Sequence, residues 1–313
     1  MSKIVAASEE KKAKYRVKNW SAYNKSLCQR GNLTLYLSED ACKGWYADPE
    51  PCHGAEVIYS NACMEVCLLV KTFFKLPYRQ TQGFLQSILA LMGEDDLQVP
   101  SYTQMSRRAK KLDIEPYLAQ PGKVIAFDST GLKISGEGEW KVKKHGSEGR
   151  RQWKKLHIGC DPATGYIHCH VLTGNEEDDG SQLEPMLEQV DTSGVEESLG
   201  DGGYDHEKCW RACIDRGIFP VIPPRSNAVE WEEDHPRTQA VRFMHEHGIK
   251  EWKKQSGYHR RSLAETQMQR IKGSFGGSLY SKRDDTQRTE TAVKIKLINI
   301  FTGCGMPISE RVV

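Results

Sequence analysis

The chain has no long hydrophobic run. None of its stretches approaches the ~18 consecutive apolar residues that a bilayer-spanning helix needs, and the first twelve residues, M-S-K-I-V-A-A-S-E-E-K-K, contain no apolar signal-peptide core. It also has no internal repeat and no low-complexity tract, while apolar residues make up 38% of its 313 positions. A wholly disordered chain is therefore excluded. We expect a cytoplasmic protein of one or two domains without membrane contact.

No C-x-x-C motif occurs among the ten cysteines. One cluster, Cys160 with His168, Cys169 and His170, has the residue types of a zinc site. Its alternation is typical of a strand, which sends neighbouring side chains to opposite faces and gives poor ligand geometry. The pattern favours buried, reduced thiols, with zinc as the alternative.

Lysine and arginine are absent from 176–207, a segment that holds twelve acids. Because the formal net charge of the whole chain is +2, the rest of the chain is basic. Positive charge is concentrated at the N-terminus, at 141–155 and at 250–283. Basic surfaces of this kind are typical of proteins that bind a polyanion, although ordinary solvated helix faces would give the same count.

The first 116 residues have a helical pattern. Apolar periodicity predicts helices at 56–75 and 78–92, and Pro100-Ser101 begins a third. Together these suggest a helix-turn-helix over 78–112, with a generic helical unit as the alternative. The basic residues expected to contact DNA from the third helix are Arg107, Arg108, Lys110 and Lys111.

After residue 122 the pattern changes to strands alternating with helices. Strands are predicted at 124–127 (resuming at 132–134), 153–159, 166–172, 198–199 and 219–222, and helices at 180–190, 205–216, 258–275 and 286–302. The segment 225–257 is polar and is treated as an insertion. We therefore predict an α/β domain over 122–313 behind a helical region over 1–116.

Three acids stand in distinctive local settings. Asp128 interrupts or ends the first apolar strand, Asp201 ends the fourth and precedes two glycines, and Glu265 lies in a polar helix. Each alone is more often a turn or surface residue. Three carboxylates that converge at strand and helix ends could bind hard divalent cations, and two such cations can promote phosphodiester hydrolysis.

The helix around Glu265 carries the most specific pattern. At ~100° per residue, Tyr258, Arg261, Glu265 and Lys272 all fall within about 60° of arc, and the apolar residues Leu263, Met268, Ile271 and Phe275 fall on the remaining sides. An amphipathic helix with a charged exposed side is the alternative, but such a side would not need a tyrosine.

The spacing Tyr258-x2-Arg261-x3-Glu265-x6-Lys272 matches the Y(2)R(3)E(6)K signature of DDE transposases of bacterial insertion sequences. Five further blocks resemble those of the family-five insertion-sequence group: D-S-T-G-L-K (128–133), G-E-W-K-V-K-K-H-G (138–146), D-G-G-Y-D (201–205), V-I-P-P-R (221–225) and S-G-Y-H-R-R-S-L-A-E-T (256–266). The resemblance covers nearly the whole chain.

This resemblance implies an RNase H-like catalytic core, a mixed sheet flanked by helices, behind a helical DNA-binding region. It implies that Asp128, Asp201 and Glu265 hold two Mg²⁺ ions, with Mn²⁺ as a substitute, and that Tyr258, Arg261 and Lys272 bind DNA phosphates. The implied reaction is cleavage at the transposon ends followed by joining of the freed 3'-hydroxyl to target DNA.

Relatives also use an aromatic residue between the second and third acids to stack on a flipped base, a role open to Trp231 or Trp252, which otherwise pack in the core. Double-stranded DNA is the implied partner, and bringing two ends together implies at least a homodimer. The implied location is the bacterial nucleoid. Two other functions stay open: an RNase H-like nuclease without strand transfer, and a catalytically silent DNA-binding regulator.

Overall fold

The computed structural model describes residues 14–48, 58–94, 96–117, 119–135 and 153–312. Several sequence features lie outside these ranges: Lys3, Lys11, Lys12, Cys52, the block 138–146 and the basic stretch from 141 to 152. None of the described helices is long and apolar enough to cross a membrane.

The N-terminal region is helical, as predicted. Its α-helices are α1 (Trp20–Gln29), α2 (Glu39–Lys43), α3 (Asn61–Phe73), α4 (Tyr78–Met92) and α5 (Tyr102–Arg108). The helix predicted from residue 56 begins at Asn61, because the Ser60 side chain accepts a hydrogen bond from the Cys63 amide and caps the first turn. Helix α4 has the predicted bounds and ends at Gly93, whose φ of 77° suits glycine.

A six-stranded sheet forms the centre of the second region. Its strands are β2 (Val124–Ile134), β3 (Trp153–Cys160), β4 (Ile167–Gly174), β5 (Glu197–Leu199), β6 (Phe219–Val221) and β7 (Ser278–Leu279). The order is β4-β3-β2-β5-β6, with β7 paired to β2 beyond that path. Strands β2, β3 and β4 are antiparallel neighbours, whereas β5 and β6 run parallel to β2. This mixed sheet, flanked by helices, confirms the predicted α/β class.

Helices cover both faces of the sheet, and a small second sheet joins the chain ends. These elements are α6 (Leu183–Leu187), α7 (Glu207–Ile214), α8 (Pro236–Gln255), α9 (Ser262–Phe275), α10 (Asp284–Cys304), β1 (Lys14–Val17) and β8 (Ser309–Val312). Strands β1 and β8 pair antiparallel. The segment 225–257, which has no clear sequence pattern, contains α8, interrupted at Gly248.

Alternation along β2 divides the core between the two sheet faces. Ala126 and Leu132 belong to a cluster with α9 and α10, whereas Ile125 and Phe127 belong to a second cluster with α6 and α7. The first cluster also includes the buried residues of α3, α4 and α5. The N-terminal helices and the sheet therefore share one hydrophobic core.

Specific contacts join the helical region to α10. The rings of Phe73 and Phe301 lie 5.8 Å apart. The Asn299 side-chain amide donates to the Pro116 carbonyl at 2.9 Å and to the Ile167 carbonyl at 2.8 Å. Because Asn299 is fully buried, these bonds fix both regions to one helix.

Candidate active site

Asp128 lies in the central strand of the sheet. The strand does not end or break there, as the sequence suggested, but continues to Ile134. Asp128 shares a sheet face with Ala126 and Leu132, and its side chain is 16% exposed. Burial raises the pKa of Asp128; the Arg261 guanidinium and the Ser129 amide oppose this shift, and the Asp201 and Glu265 carboxylates add to it.

Strand register brings Asp201 beside Asp128. Strands β2 and β5 are parallel and pair Ala126 with Leu199, so the same register two residues on places Asp128 level with Asp201. Asp201 lies just beyond the end of β5, and its Oδ1 accepts a hydrogen bond from the Gly203 amide at 2.8 Å. A Cβ at Gly203 would lie 2.8 Å from that oxygen, so only glycine leaves the carboxylate undisturbed.

Helix α9 supplies the third acid. Glu265 lies in its first turn with a side chain that is 49% exposed. Arg261 donates from Nη2 to Glu265 Oε1, and its Nη1 lies 3.4 Å from Asp128 Oδ1. One guanidinium thus connects two of the three predicted acids, and Asp201 lies beside Asp128 at the carboxyl end of β5.

The predicted polar side of the helix around Glu265 is only partly exposed to solvent. Residues Tyr258–Arg261 form a 3₁₀ turn, and the α-helix begins at Ser262. Tyr258 is buried, and burial raises the pKa of its hydroxyl. Lys272 is half-buried on the last turn. Leu263, expected on the apolar side, is 38% exposed, because the preceding turn is tighter than an α-helix.

The two candidate tryptophans pack against other side chains. Trp252 is buried, and its ring lies 5.8 Å from that of Tyr258. Trp231 is half-buried, and the Arg237 guanidinium lies 4.2 Å from its ring centroid. Only Trp231 has surface to offer a base without rearrangement of the core.

The four basic residues predicted to contact DNA from the third helix do not all lie on that helix. The helix ends at Arg108, so Lys110 and Lys111 lie in the following turn, where both are exposed. Arg108 donates to the Tyr59 carbonyl at 3.0 Å and to Asn61 Oδ1 at 2.6 Å. Arg107 is exposed. The predicted third helix is thus a seven-residue helix, shorter than the run of basic residues suggested.

Sequence reasoning missed an acid beside the predicted three. The Asp179 carboxylate lies 2.8 Å from Lys155 Nζ and 3.3 Å from His157 Nδ1. A Cβ at Gly203 would lie 3.7 Å from Asp179 Oδ2 as well as close to Asp201, so both carboxylates approach the same point. The twelve-acid segment contains Asp179, but its composition does not distinguish this residue from the surface acids around it.

A buried ion pair, also missed, anchors the loop that carries Asp201. Asp205 accepts from Arg237 Nε at 2.6 Å and Nη2 at 2.9 Å, with side-chain exposures of 1% and 6%. It also accepts from the Trp210 indole and the Arg225 amide. Asp205 is the last residue of the D-G-G-Y-D block, and that block was the sequence feature that could have indicated its importance.

Comparison with known families decides the identity. Residues 28–137 match a family model described as "Transposase DDE domain", and residues 119–300, more than half of the chain, match a second model with the same description. The chain belongs to the DDE transposase family. The resemblance based on the Y(2)R(3)E(6)K signature is confirmed at this level, and the family-five assignment is consistent with it.

Two solved structures resemble this DDE transposase distantly. A piggyBac transposase synaptic complex with hairpin DNA is 12% identical with a TM-score of 0.40, and the match covers 92% of this chain and 77% of that one. A simian T-cell lymphotropic virus intasome in complex with PP2A regulatory subunit B56 gamma is 12% identical with a TM-score of 0.27, covering 69% and 66%. At these values neither carries residue roles to this chain.

DDE transposase domains generally use divalent metal ions. Within the described residues no three His, Cys, Asp or Glu side chains lie close enough together to form a metal site. The donor set nevertheless fits, because Asp128, Asp201 and Glu265 supply the hard oxygens that Mg²⁺ prefers. Arg261, between Asp128 and Glu265, provides the positive charge that such a cluster requires.

Proposed function

We propose that this DDE transposase binds the terminal inverted repeats of an insertion sequence, cleaves the DNA at those ends and joins the 3'-hydroxyls to target DNA. The observation that supports this proposal is the convergence of Asp128, Asp201 and Glu265. Asp201 lies just beyond the end of β5, level with Asp128 on the adjacent parallel strand β2, and Glu265 is linked to Asp128 through Arg261.

The three carboxylates would hold two Mg²⁺ ions, for which Mn²⁺ would substitute. When bound, such a pair of ions activates water and stabilises the leaving oxygen of a phosphodiester. The chain's own contribution is to fix the ligands. Asp128 is held in the central strand, and Asp201 is oriented by the hydrogen bond from the Gly203 amide. Glu265 is half exposed and is held by its ion pair with Arg261.

Cationic side chains beside the acids would hold the DNA. Arg261 and Lys272 would contact phosphates next to the cleaved bond, and Tyr258 would support Arg261, whose guanidinium lies 5.7 Å from the centroid of its ring. Trp231 is the better candidate for stacking on a displaced base.

The helical region is proposed to recognise the transposon end. The exposed side chains Arg107, Lys110 and Lys111 would contact DNA, while Arg108 is engaged with Tyr59 and Asn61. We further propose that the transposase acts as a homodimer or larger assembly on two DNA ends, in the bacterial cytoplasm at the nucleoid.

The decisive experiment incubates the purified chain with labelled terminal repeats, target DNA and Mg²⁺ or Mn²⁺. Asp128→Asn, Asp201→Asn and Glu265→Gln should each abolish nicking while DNA binding in a gel-shift assay is retained, because each removes a metal ligand. The exposed acid Glu188 provides a control, and Glu188→Gln should cleave normally.

The products separate the proposed function from its two alternatives. Cleaved ends joined to target DNA support a transposase with strand transfer. Nicked ends without joined products would indicate an RNase H-like nuclease, and end binding without metal-dependent cleavage would indicate a regulator. Near wild-type cleavage by any one of the three acid variants would remove that residue from the site.

A further inference from the structure

A fourth carboxylate, Asp179, lies beside the three proposed catalytic acids. It precedes the 3₁₀ turn Gly180–Gln182, at the end of the loop that follows β4. Its side chain is 22% exposed. The surrounding acids Glu176, Glu177 and Asp178 are exposed, so Asp179 is the acid of this loop that turns toward the sheet.

The sheet holds Asp179 with a fixed set of partners. Lys155 Nζ lies 2.8 Å from Asp179 Oδ1, and Nδ1 of the fully buried His157 lies 3.3 Å from the same oxygen. His157 Nε2 lies 2.9 Å from Thr173 Oγ1, which fixes the ring orientation. Burial would raise the pKa of Asp179, but hydrogen bonds and ion pairing with His157, Lys155 and Ser129 lower it well below its usual range. The ion pair with Lys155 therefore favours the charged form of this carboxylate.

The other oxygen of Asp179 faces the active site. A Cβ at Gly203 would lie 3.7 Å from Asp179 Oδ2 and 2.8 Å from Asp201 Oδ1, so the two carboxylates border the same small space. The hydroxyl of Tyr204, a fully buried side chain, has no hydrogen-bond partner among the described residues. Burial raises the pKa of Tyr204, and the charges of Asp179, Asp201 and Asp128 raise it further.

We propose that Asp179 is a positioning residue of the metal site, acting on the cation bound at Asp201 through that cation's water ligands. This inference rests on the proposed function. Mg²⁺ and Mn²⁺ in such sites keep several waters, which need acceptors. Asp179 Oδ2 lies near Asp201 and is suited to accept hydrogen bonds from such waters. The fully buried His157, whose Nδ1 lies 3.3 Å from Asp179 Oδ1, limits how far Asp179 can turn away even without Lys155.

Replacing Asp179 and replacing Lys155 should change Mn²⁺ affinity in different directions. If the charge of Asp179 acts on the cation, Asp179→Asn should weaken Mn²⁺ binding by about tenfold or more, as loss of outer-shell partners usually does. Lys155→Met keeps the aliphatic stem but removes a competing positive charge, so Mn²⁺ should bind as tightly as in the wild type or more tightly. If Asp179 only braces Lys155, both variants should bind Mn²⁺ equally poorly.

The measurement is calorimetric titration of the full chain with MnCl₂ in the absence of DNA, beside thermal unfolding without metal. Glu177→Gln is the matched control, since it removes a charge from the exposed part of the same loop and should leave the Kd within about twofold of wild type. Asp128→Asn is the reference for loss of a direct ligand.

Each outcome bears on the inference. A tenfold weaker Kd in Asp179→Asn with a normal Glu177→Gln supports it. A wild-type Kd in Asp179→Asn overturns it while leaving the proposed function intact. Asp128→Asn binding Mn²⁺ as tightly as the wild type would overturn the proposed metal site and this inference with it. If Asp179→Asn does not fold, Lys155→Met decides, because weaker Mn²⁺ binding there contradicts the inference.

Discussion

The buried pair between Asp205 and Arg237 gives the sharpest stability prediction. Replacing Arg237 with Met keeps much of the aliphatic volume but leaves the Asp205 carboxylate, which is 1% exposed, without its cation. The Trp210 indole and the Arg225 amide still donate to Asp205, so the loss is electrostatic rather than a complete loss of hydrogen bonds. The variant also removes the guanidinium from the Trp231 ring.

Breaking a buried pair by removing one partner costs about 3–5 kcal/mol. An unfolding entropy of about 2.1 cal/mol/K per residue converts this cost into a fall in Tm of roughly 5–8 °C for one cooperative unit of this length. The neighbouring pair on α8 provides the matched control. Arg242 binds Glu230 at 2.8 Å, but both side chains are 46% exposed, so Arg242→Met should lower Tm far less.

The assay is thermal and urea unfolding of wild type, Arg237→Met and Arg242→Met under the same conditions, followed by Mn²⁺ titration of each folded protein. Because Asp205 ends the loop that begins with Asp201, we also expect Arg237→Met to bind Mn²⁺ more weakly. Equal, small losses of stability in the two arginine variants would refute the argument that the buried pair anchors this loop.

Three further predictions follow from the same contacts. Burial raises the pKa of Asp205, but Arg237 and other donors lower it below its usual value. The extra stability of the wild type over Asp205→Asn should therefore reach its full size above about pH 4 and disappear as the pH falls through the native-state pKa. Urea unfolding from pH 7 to pH 2.5 checks this, and a constant difference in stability would contradict it. Lys272→Ala should impair cleavage without changing the Kd for Mn²⁺. Arg261→Ala should impair cleavage but tighten Mn²⁺ binding, because the guanidinium that neutralises Asp128 and Glu265 is removed. Calorimetry beside cleavage assays distinguishes the two variants, and unimpaired cleavage in both would exclude the phosphate contacts. A fragment of residues 1–116 should not fold alone, because its core is completed by α10 and its first strand pairs with β8; circular dichroism showing a cooperative transition in the fragment would contradict this.

Local patterns were sufficient for the class of the fold and for the family. Helix α4 has the predicted bounds because its apolar period and Gly93 are local signals. The strands were predicted from short apolar runs separated by turns, and the mixed sheet was implied by the resemblance to the family. The spacing of Tyr258, Arg261, Glu265 and Lys272 identified the family because a signature is a property of the sequence itself.

The geometry of the site depended on the tertiary structure. Asp128 was expected at a strand end, but the pairing of β2 with β3 and β7 carries the strand on to Ile134. The 3₁₀ turn before α9 buries Tyr258 and turns Arg261 between Asp128 and Glu265, which a uniform helical period cannot express. Helix α8 was not predicted because its apolar pattern is weak and its stability comes from packing.

The contacts of Asp179 and Asp205 show most clearly which features the sequence predicts and which depend on tertiary structure. Both lie in the strongly acidic segment 176–207, whose composition does not show which carboxylates meet a cation. Their partners, Lys155 and Arg237, lie 24 and 32 positions away along the chain. The sequence by itself determined which residues could form a cation-binding site and which family carries them; the register of the sheet and the course of its loops decided which charges meet, because pairing over such distances is set by packing rather than by local propensity.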